Sequence, residues 1–390
     1  MIEPIKAVEN DLSQVKLRLC YISNPNLIHT RRWISWFAQH GHTVCLLADV
    51  PLKEVWSDVQ VIDLSKIFYA RFVRFPIWTA WLRNFLREWR PDILHAHRIN
   101  SAGWVAAACG FHPYVVTPWG TDIFVQPHHS LIARILARYT LRHADLITTL
   151  SLAMDIQAIQ LGARPNTLRR VQFGVELDTF KPGLTTSQES LDLRKSLSLS
   201  ENARVVLSPR AVTPLYNLDI IMKSIPLVRE RVPEAIFIFL DYNTDVDYKK
   251  QLDMISKELG LDAVIRWLPP TRSRTEMAKL YRLSEVVVSV PSTDGTPISV
   301  LEAMACGKPV VCTDLLPLRE FIISGENGWL VPVCQTSPLA EAILMLLTQP
   351  EQANEFGRKA YKVVAEKANR EVEMQRMEAI YQHLTASRRR

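Results

Sequence analysis

The chain has 390 residues, 48% of them hydrophobic and 22% charged, with a net charge of +6. That length exceeds one ordinary core and that balance is globular, which excludes a single small domain and a disordered chain. Its six cysteines show no CxxC pairing or metal-ligand rhythm, no secretory apolar core opens the chain, and no apolar run reaches the ~18 residues of a membrane span, so a soluble or peripheral, cytoplasmic protein with reduced thiols is expected.

From the N-terminus, strands are expected at 17–22, 43–48, 59–64, 92–97, 114–118 and 146–151. Helical stretches fall between most of them, at 30–40, 76–90, 101–109, 129–143 and 152–160. Periodicity lapses in FGVELDTFKPGLTTSQES (173–190), where Pro, Gly, Ser and Thr collect, so a domain boundary is expected there. Strands resume at 204–209, 235–241, 264–268, 285–290, 309–313 and 328–333, separated by helices 217–231, 246–259, 274–283, 298–306 and 338–348. Two long helices should fill 351–386, with the tail ASRRR disordered. Apolar strands alternating with helices imply parallel sheets covered on both faces, and two such series imply two doubly wound α/β domains. The expected division is 1–178, 179–368 and a terminal helix 369–390 that crosses back to the first domain.

The halves differ chemically. Residues 1–180 hold 19 Lys and Arg against 14 Asp and Glu, while the remainder holds 27 against 26. Eight of the ten Trp also lie in the first part, which points to different partners for the two domains. In RFVRFPIWTAWLRNFLREWR (71–90), Trp78, Trp81, Leu82, Phe85 and Trp89 are placed on one helical face and Arg83, Arg87 and Arg90 on the other. Arg134, Arg138 and Arg142 recur every four residues in a second helix. Such helices fit either an ordinary sheet-covering role or an anionic membrane surface. Basic residues are too dispersed, and motifs too few, for nucleic acid.

Open parallel sheets bind ligands beyond the carboxyl ends of their strands, so polar residues just after strands are the candidates. In PSTDGTPISVLEAMACGKPVV (291–311) a buried strand ends in a polar turn and a helix begins near Pro297, a residue suited to the first helical position. Free N–H groups there make an anion site, for which a diphosphate is a natural occupant, and Glu302 in the second turn could accept a ribose diol. Arg210 follows the strand VVLSP and could bind phosphate oxygens bidentately. Asp245 and Asp247 form an Asp-x-Asp before a helix and are not read as a metal site. No GxGxxG follows a strand and no P-loop is present, so neither a nicotinamide cofactor nor phosphate binding by a P-loop is expected.

The 291–311 stretch resembles the Glu-x7-Glu signature of family-4 (group 1) retaining glycosyltransferases, with Asp294 in the first acidic position and LEAMACGKPVV following. LREFIISGENGWLVP (318–332) is similar to the segment the family has downstream, with Glu320 at its acid. The resemblance implies the GT-B fold, two Rossmann-like domains facing across a cleft. It implies a retaining transfer of a hexose from a nucleotide diphosphate sugar to a glycan or lipid-linked acceptor, with no metal and no cofactor beyond that co-substrate. Asp294 and Arg210 would be catalytic; Glu302, Gly295, Thr296, Ile298, Tyr216, Asn217 and Glu320 would bind the donor. Arg210 should then lie open toward Glu302. On the acceptor side, PWGTDIF (118–124) resembles a His-Gly-Thr-Asp turn with Trp119 in place of His, and Trp119, Gly120, Asp122 and His29 are the candidates. His95 and His97 alternate along a strand end, so only one of them is expected to face a ligand. The chain departs from the family pattern by lacking a Gly-Gly loop after its first strand and a Lys-Gly near Arg210, where TPLYN (213–217) stands instead. Those departures leave a second reading, a nucleotide-sugar-binding subunit without turnover.

Overall fold

The computed structural model describes residues 15–66, 74–183, 188–271 and 273–389, so Arg71, Phe72 and Val73 of the basic aromatic stretch lie outside it. The described residues divide into two compact units. The first takes 15–149, 157–169 and 374–389, and the second takes 150–156 and 170–373.

The first unit is built on β1 (Arg18–Ser23), β2 (Thr43–Ala48), β3 (Gln60–Asp63), β4 (Ile93–His97), β5 (Tyr114–Thr117), β6 (Leu146–Thr149) and β7 (Leu168–Arg170), in the order β3-β2-β1-β4-β5-β6-β7. The ladders from β3 through β6 are parallel. Helices α1 (Ile28–Gln39), α2 (Arg74–Trp89), α3 (Ser101–Cys109), α4 (Thr121–Phe124), α5 (Gln126–His129), α6 (Leu131–His143) and α7 (Leu152–Gln160) connect them. Strands β4, β5 and β6 are buried along their whole length, although β4 carries His95 and His97 and β6 ends in Thr148 and Thr149.

The basic aromatic helix α2 packs against α3 within the first unit. Trp78, Leu82 and Leu86 are buried, whereas Trp81, Phe85 and Trp89 stack on one another with centroids 5.1 and 6.1 Å apart. Arg83 donates to the Cys109 and Ala108 carbonyls at the end of α3. The single apolar face expected there is therefore two stripes, because a 3.6-residue period cannot hold five such side chains in one line.

The second unit opens with α8 (Gln188–Ser196), which starts inside the stretch expected to be linker. It continues as β8 (Arg204–Ser208), α9 (Leu218–Arg229), β9 (Ala235–Leu240), α10 (Val246–Glu258), β10 (Ile265–Leu268), α11 (Arg274–Leu283), β11 (Val286–Ser289), α12 (Ile298–Ala305), β12 (Val310–Thr313), β13 (Trp329–Val331), α13 (Thr336–Thr348) and α14 (Pro350–Lys367). Its parallel sheet runs β10-β9-β8-β11-β12-β13. Val206, Phe237, Val288 and Val311 from the sheet pack with Ile221 and Ile225 of α9 and Ile343 of α13. Each such side chain contributes about 2 kcal/mol by leaving water. At Gly357, α14 passes so close to the Gly307 carbonyl that any Cβ would overlap it, and this fixes the end of α12.

The last helix, α15 (Arg370–Arg389), takes in residues 386–389 of the tail expected to be disordered, and Arg390 lies outside the described residues. Ala and Arg are good helix formers and cations suit a helix C-terminus, so the segment continues the helix. Near its start, Val175 bridges Asn369, and Glu373 accepts from the Gln172 amide at 2.8 Å. Gly174 has φ +68°, and a Cβ there would strike the Arg370 backbone, so glycine is required for this crossing.

Candidate functional site

In the second unit the strand order reverses between β8 and β11, the position where open parallel sheets bind ligands. Arg210 lies two residues beyond β8 and Asp294 five beyond β11. Topology thus brings together two residues 84 apart in sequence, and Arg210 Nη2 donates to Asp294 Oδ2 at 2.7 Å. Arg210 Nη1 donates to Ser299 Oγ at 3.0 Å, and the guanidinium lies 4.0 Å over the Tyr216 ring. Asp294 Oδ1 accepts the Gly295 amide at 2.8 Å.

This corrects the expectation of an open guanidinium. Arg210 is 8% exposed and already carries a counter-charge. Burial, the largest single influence, would lower its pKa, but Asp294 together with Tyr216 and Tyr242 outweighs it and the pKa is raised. Desolvating a guanidinium is costly, and a bonded carboxylate offsets that cost. Arg210 and Glu302 both act on the Tyr242 hydroxyl, whose pKa burial raises.

Pro297 precedes α12 as its cap rather than occupying the first helical position, and it offers no side-chain cap. The start of α12 is therefore uncapped by any side chain. Gly295, Thr296 and Ile298 are buried, and Thr296 Oγ1 donates to the Gly295 and Leu150 carbonyls at 2.8 and 3.2 Å. Glu302 lies on α12 with Oε1 3.2 Å from Arg274 Nη2 and Oε2 accepting from Tyr281 at 3.3 Å. Arg274 also pairs with Glu176, which holds Arg370 at 3.0 Å. Arg274, Tyr281 and Tyr242 have no short-range sequence signal, since only the folded sheet brings them near Arg210 and Glu302.

Other expected residues are occupied elsewhere. Asn217 sits at φ +50° and donates to the Val290 carbonyl at 2.8 Å and Ser292 Oγ at 3.0 Å, tying the loop after β8 to the loop after β11. Glu320 accepts from the Leu152 amide at 2.7 Å and lies 3.4 Å from Arg170. Burial raises its pKa. Asp245 caps α10 by accepting from the Asp247 and Tyr248 amides, and Asp247 pairs with Lys250 at 3.0 Å. Among the described residues, no group of three or more His, Cys, Asp or Glu could hold a metal ion.

In the first unit the strand order reverses between β1 and β4. Asp122 holds backbone amides of two loops: Oδ1 accepts the Trp119 and Gly120 amides at 2.9 and 3.0 Å, and Oδ2 the Ile99 amide at 2.8 Å. Gly120 has φ +137°, a conformation that side chains rarely adopt. Trp119 is part-exposed and meets the part-exposed His29 edge-on at 6.1 Å. The expectation that His95 and His97 face opposite ways is wrong. Residues two apart on a strand share a face, and their rings lie 4.8 Å apart. Both are buried, and burial lowers both pKa values, that of His97 to about 3.

A family described as "Glycosyl transferases group 1" matches residues 189–363, and one described as "Glycosyl transferase 4-like" matches residues 18–151. Curated relatives include a D-inositol 3-phosphate glycosyltransferase 2 of Catenulispora acidiphila, 27% identical over 205 residues, covering 51% of this chain and 47% of that protein. Another is the D-inositol 3-phosphate glycosyltransferase of Geodermatophilus obscurus, 29% identical over 197 residues, covering 49% of this chain and 42% of that protein. The match thus spans about half the length of these relatives. Among solved structures, Anabaena HepE in complex with UDP and glucose superposes with a TM-score of 0.79 at 18% identity, over 94% of this chain and all of that one. Sucrose-phosphate synthase of Thermosynechococcus elongatus gives 0.79 at 18% identity, over 95% of this chain and all of that one. These likenesses establish the fold as GT-B, two Rossmann-like units in one chain. Two doubly wound units, an Asp-x7-Glu motif after β11 and the two family matches carry one conclusion: the chain belongs to the group 1 glycosyltransferases.

Proposed function

We propose that this protein is a retaining glycosyltransferase that moves a hexose from a nucleotide diphosphate sugar to a glycan or lipid-linked acceptor. The observation that carries the reading is the Arg210–Asp294 pair at the strand-order reversal, beside the uncapped start of α12. A diphosphate there would meet a guanidinium and free backbone amides, and its departure would be stabilised by charges already in place. Asp294 would hydrogen-bond the donor sugar while orienting Arg210. Glu302 would take the ribose diol. Departing diphosphate would serve as base for the acceptor hydroxyl. Relatives named for D-inositol 3-phosphate, and a neighbour solved with UDP and glucose, support a nucleotide donor and a hydroxylated acceptor.

The test is a thermal-shift screen of UDP-, GDP- and ADP-sugars, followed by transfer of radiolabelled hexose to lipid and glycan acceptors. A matching donor at about 100 times its Kd should stabilise the protein by about 2.7 kcal/mol. No stabilisation by any nucleotide sugar would sink the reading. Stabilisation without turnover across the acceptor panel would favour the binding-subunit alternative.

An anionic membrane surface is the proposed docking partner, with α6 as the docking face. Leu131, Ile132 and Ile135 are 73%, 70% and 57% exposed, and Arg134, Arg138 and Arg142 form an exposed basic stripe one residue away. No helix among the described residues is long and apolar enough to cross a membrane. Binding to vesicles containing phosphatidylglycerol should exceed binding to neutral ones and fall with salt. At about 1 kcal/mol per cation, R134Q/R138Q/R142Q should weaken it by about 100-fold. Equal sedimentation with neutral and anionic vesicles would remove this partner.

A further inference from the structure

Arg210 is held by three side chains, and the third holds it in a different way. Asp294 and Ser299 each take one N–H, from Nη2 at 2.7 Å and from Nη1 at 3.0 Å. Tyr216 takes none: the guanidinium carbon lies over its ring, 4.0 Å from the centroid. A guanidinium carries five N–H donors in one plane, and an aromatic face attracts the cation without consuming any of them. Tyr216 therefore closes one side of the group and leaves its donors for a ligand. Asp294 is poorly placed to fix the group alone. Its Oδ1 accepts the Gly295 amide at 2.8 Å, so it meets Arg210 through Oδ2, a single point about which a guanidinium can swing.

The loop after β8 is built to put the ring there. A short turn, Pro214–Tyr216, ends at Asn217, which is left-handed at φ +50°. Asn217 Nδ2 donates to the Val290 carbonyl and to Ser292 Oγ, and the Ser292 amide donates to the Leu215 carbonyl at 2.9 Å. The residues on either side of Tyr216 are thus bonded to the loop after β11, which bears Asp294. Two of the three side chains around Arg210 are mounted on one bonded frame. TPLYN also stands where the family pattern has Lys-Gly. Asn217 takes the left-handed conformation that suits glycine, so Tyr216 falls at the lysine. A lysine there would bring a second cation and repel Arg210, whereas the tyrosine steadies the first.

We infer that Tyr216 is a positioning residue, whose ring face aims the Arg210 guanidinium so that the N–H groups not taken by Asp294 and Ser299 meet the donor diphosphate. The inference rests on the glycosyl-transfer reading for its ligand, whereas the clamp itself does not depend on it.

The experiment uses the full chain and inorganic pyrophosphate as the probe. Y216L keeps apolar bulk but loses the ring face. In calorimetry it should weaken pyrophosphate binding by about 10-fold, the size of a partly desolvated cation–π contact. Y216F keeps the face and should recover most of that loss. In an R210A background Y216L should change nothing further, since a positioning residue acts only through the group it positions. A ligand-free reading uses 15N-labelled arginine, with the Arg210 signals assigned by R210K. The two Nη signals should stand apart in the wild type and in Y216F, and merge in Y216L as rotation about the Nε–Cζ bond speeds up. The inference is overturned if Y216L binds pyrophosphate as tightly as the wild type, or keeps the Arg210 Nη signals apart at their wild-type positions. It is equally overturned if Y216L loses as much affinity in R210A as in the wild type, since Tyr216 would then touch the ligand itself. Should R210A bind too weakly to measure, the nitrogen signals decide, and should Y216L fold poorly, Y216M repeats the test. If pyrophosphate binds none of the proteins, the wild type included, the donor-site reading fails while the nitrogen signals still judge the clamp.

Discussion

Arg210→Ala should lower turnover by about 10²- to 10³-fold, the cost of removing one charge-stabilising donor from a transition state. It should also lower stability by about 3 kcal/mol, because it strands the Asp294 carboxylate without its partner. The estimate takes the lower end of that range because the Asp294 side chain keeps 17% of its exposure and water screens it in part. The two effects separate in R210A/D294N. Removing both charges should restore most of the stability in urea unfolding, since no buried charge is left unpaired, and should restore no activity. Stability recovered together with wild-type transfer would show the pair to be structural only. R210K tests geometry: it keeps the charge but cannot hold Asp294 and Ser299 through two nitrogens while lying flat on Tyr216.

The expected strands and helices were legible because burial on both faces writes runs dominated by apolar residues, as in β5 and β11. The 291–311 stretch was equally legible, since its acids, turn and helix are neighbours in sequence. Helix α8 was not legible: its mean composition is polar and it buries only Ser190, so no apolar stripe marks it. The Arg210–Asp294 bond could not be read either, because it depends on which strands adjoin in the sheet. Both acids of the motif were assigned as if free to meet a ligand, yet in the fold each also holds an arginine. Asn217 shows the same limit, since a polar residue in a loop is drawn to the backbone carbonyls that folding leaves unpaired, here that of Val290. His95 and His97 stand out in sequence only by alternating along a strand end, whereas that His95 is hydrogen-bonded on both nitrogens and His97 on neither emerges only when every neighbour is placed.

Glu302→Ala should weaken nucleoside diphosphate binding by about 100-fold. Each hydrogen bond from a ribose hydroxyl to a carboxylate contributes about 1.5 kcal/mol or more, and a diol makes two. Glu302 is prepared for this: Tyr281 and Arg274 meet its two different oxygens and so fix the carboxylate's orientation. Arg274 keeps Glu176 when Glu302 is removed, so the loss should fall on affinity more than on stability. A ligand cycle isolates the contact. The wild type should bind a 2′-deoxynucleoside diphosphate more weakly than the ribose form, and E302A should bind the two alike. If calorimetry finds that E302A still prefers the ribose form by the wild-type margin, the diol is read by another residue. Glu302 would then be a structural partner of Arg274, one link in the Glu302–Arg274–Glu176–Arg370 chain of charges.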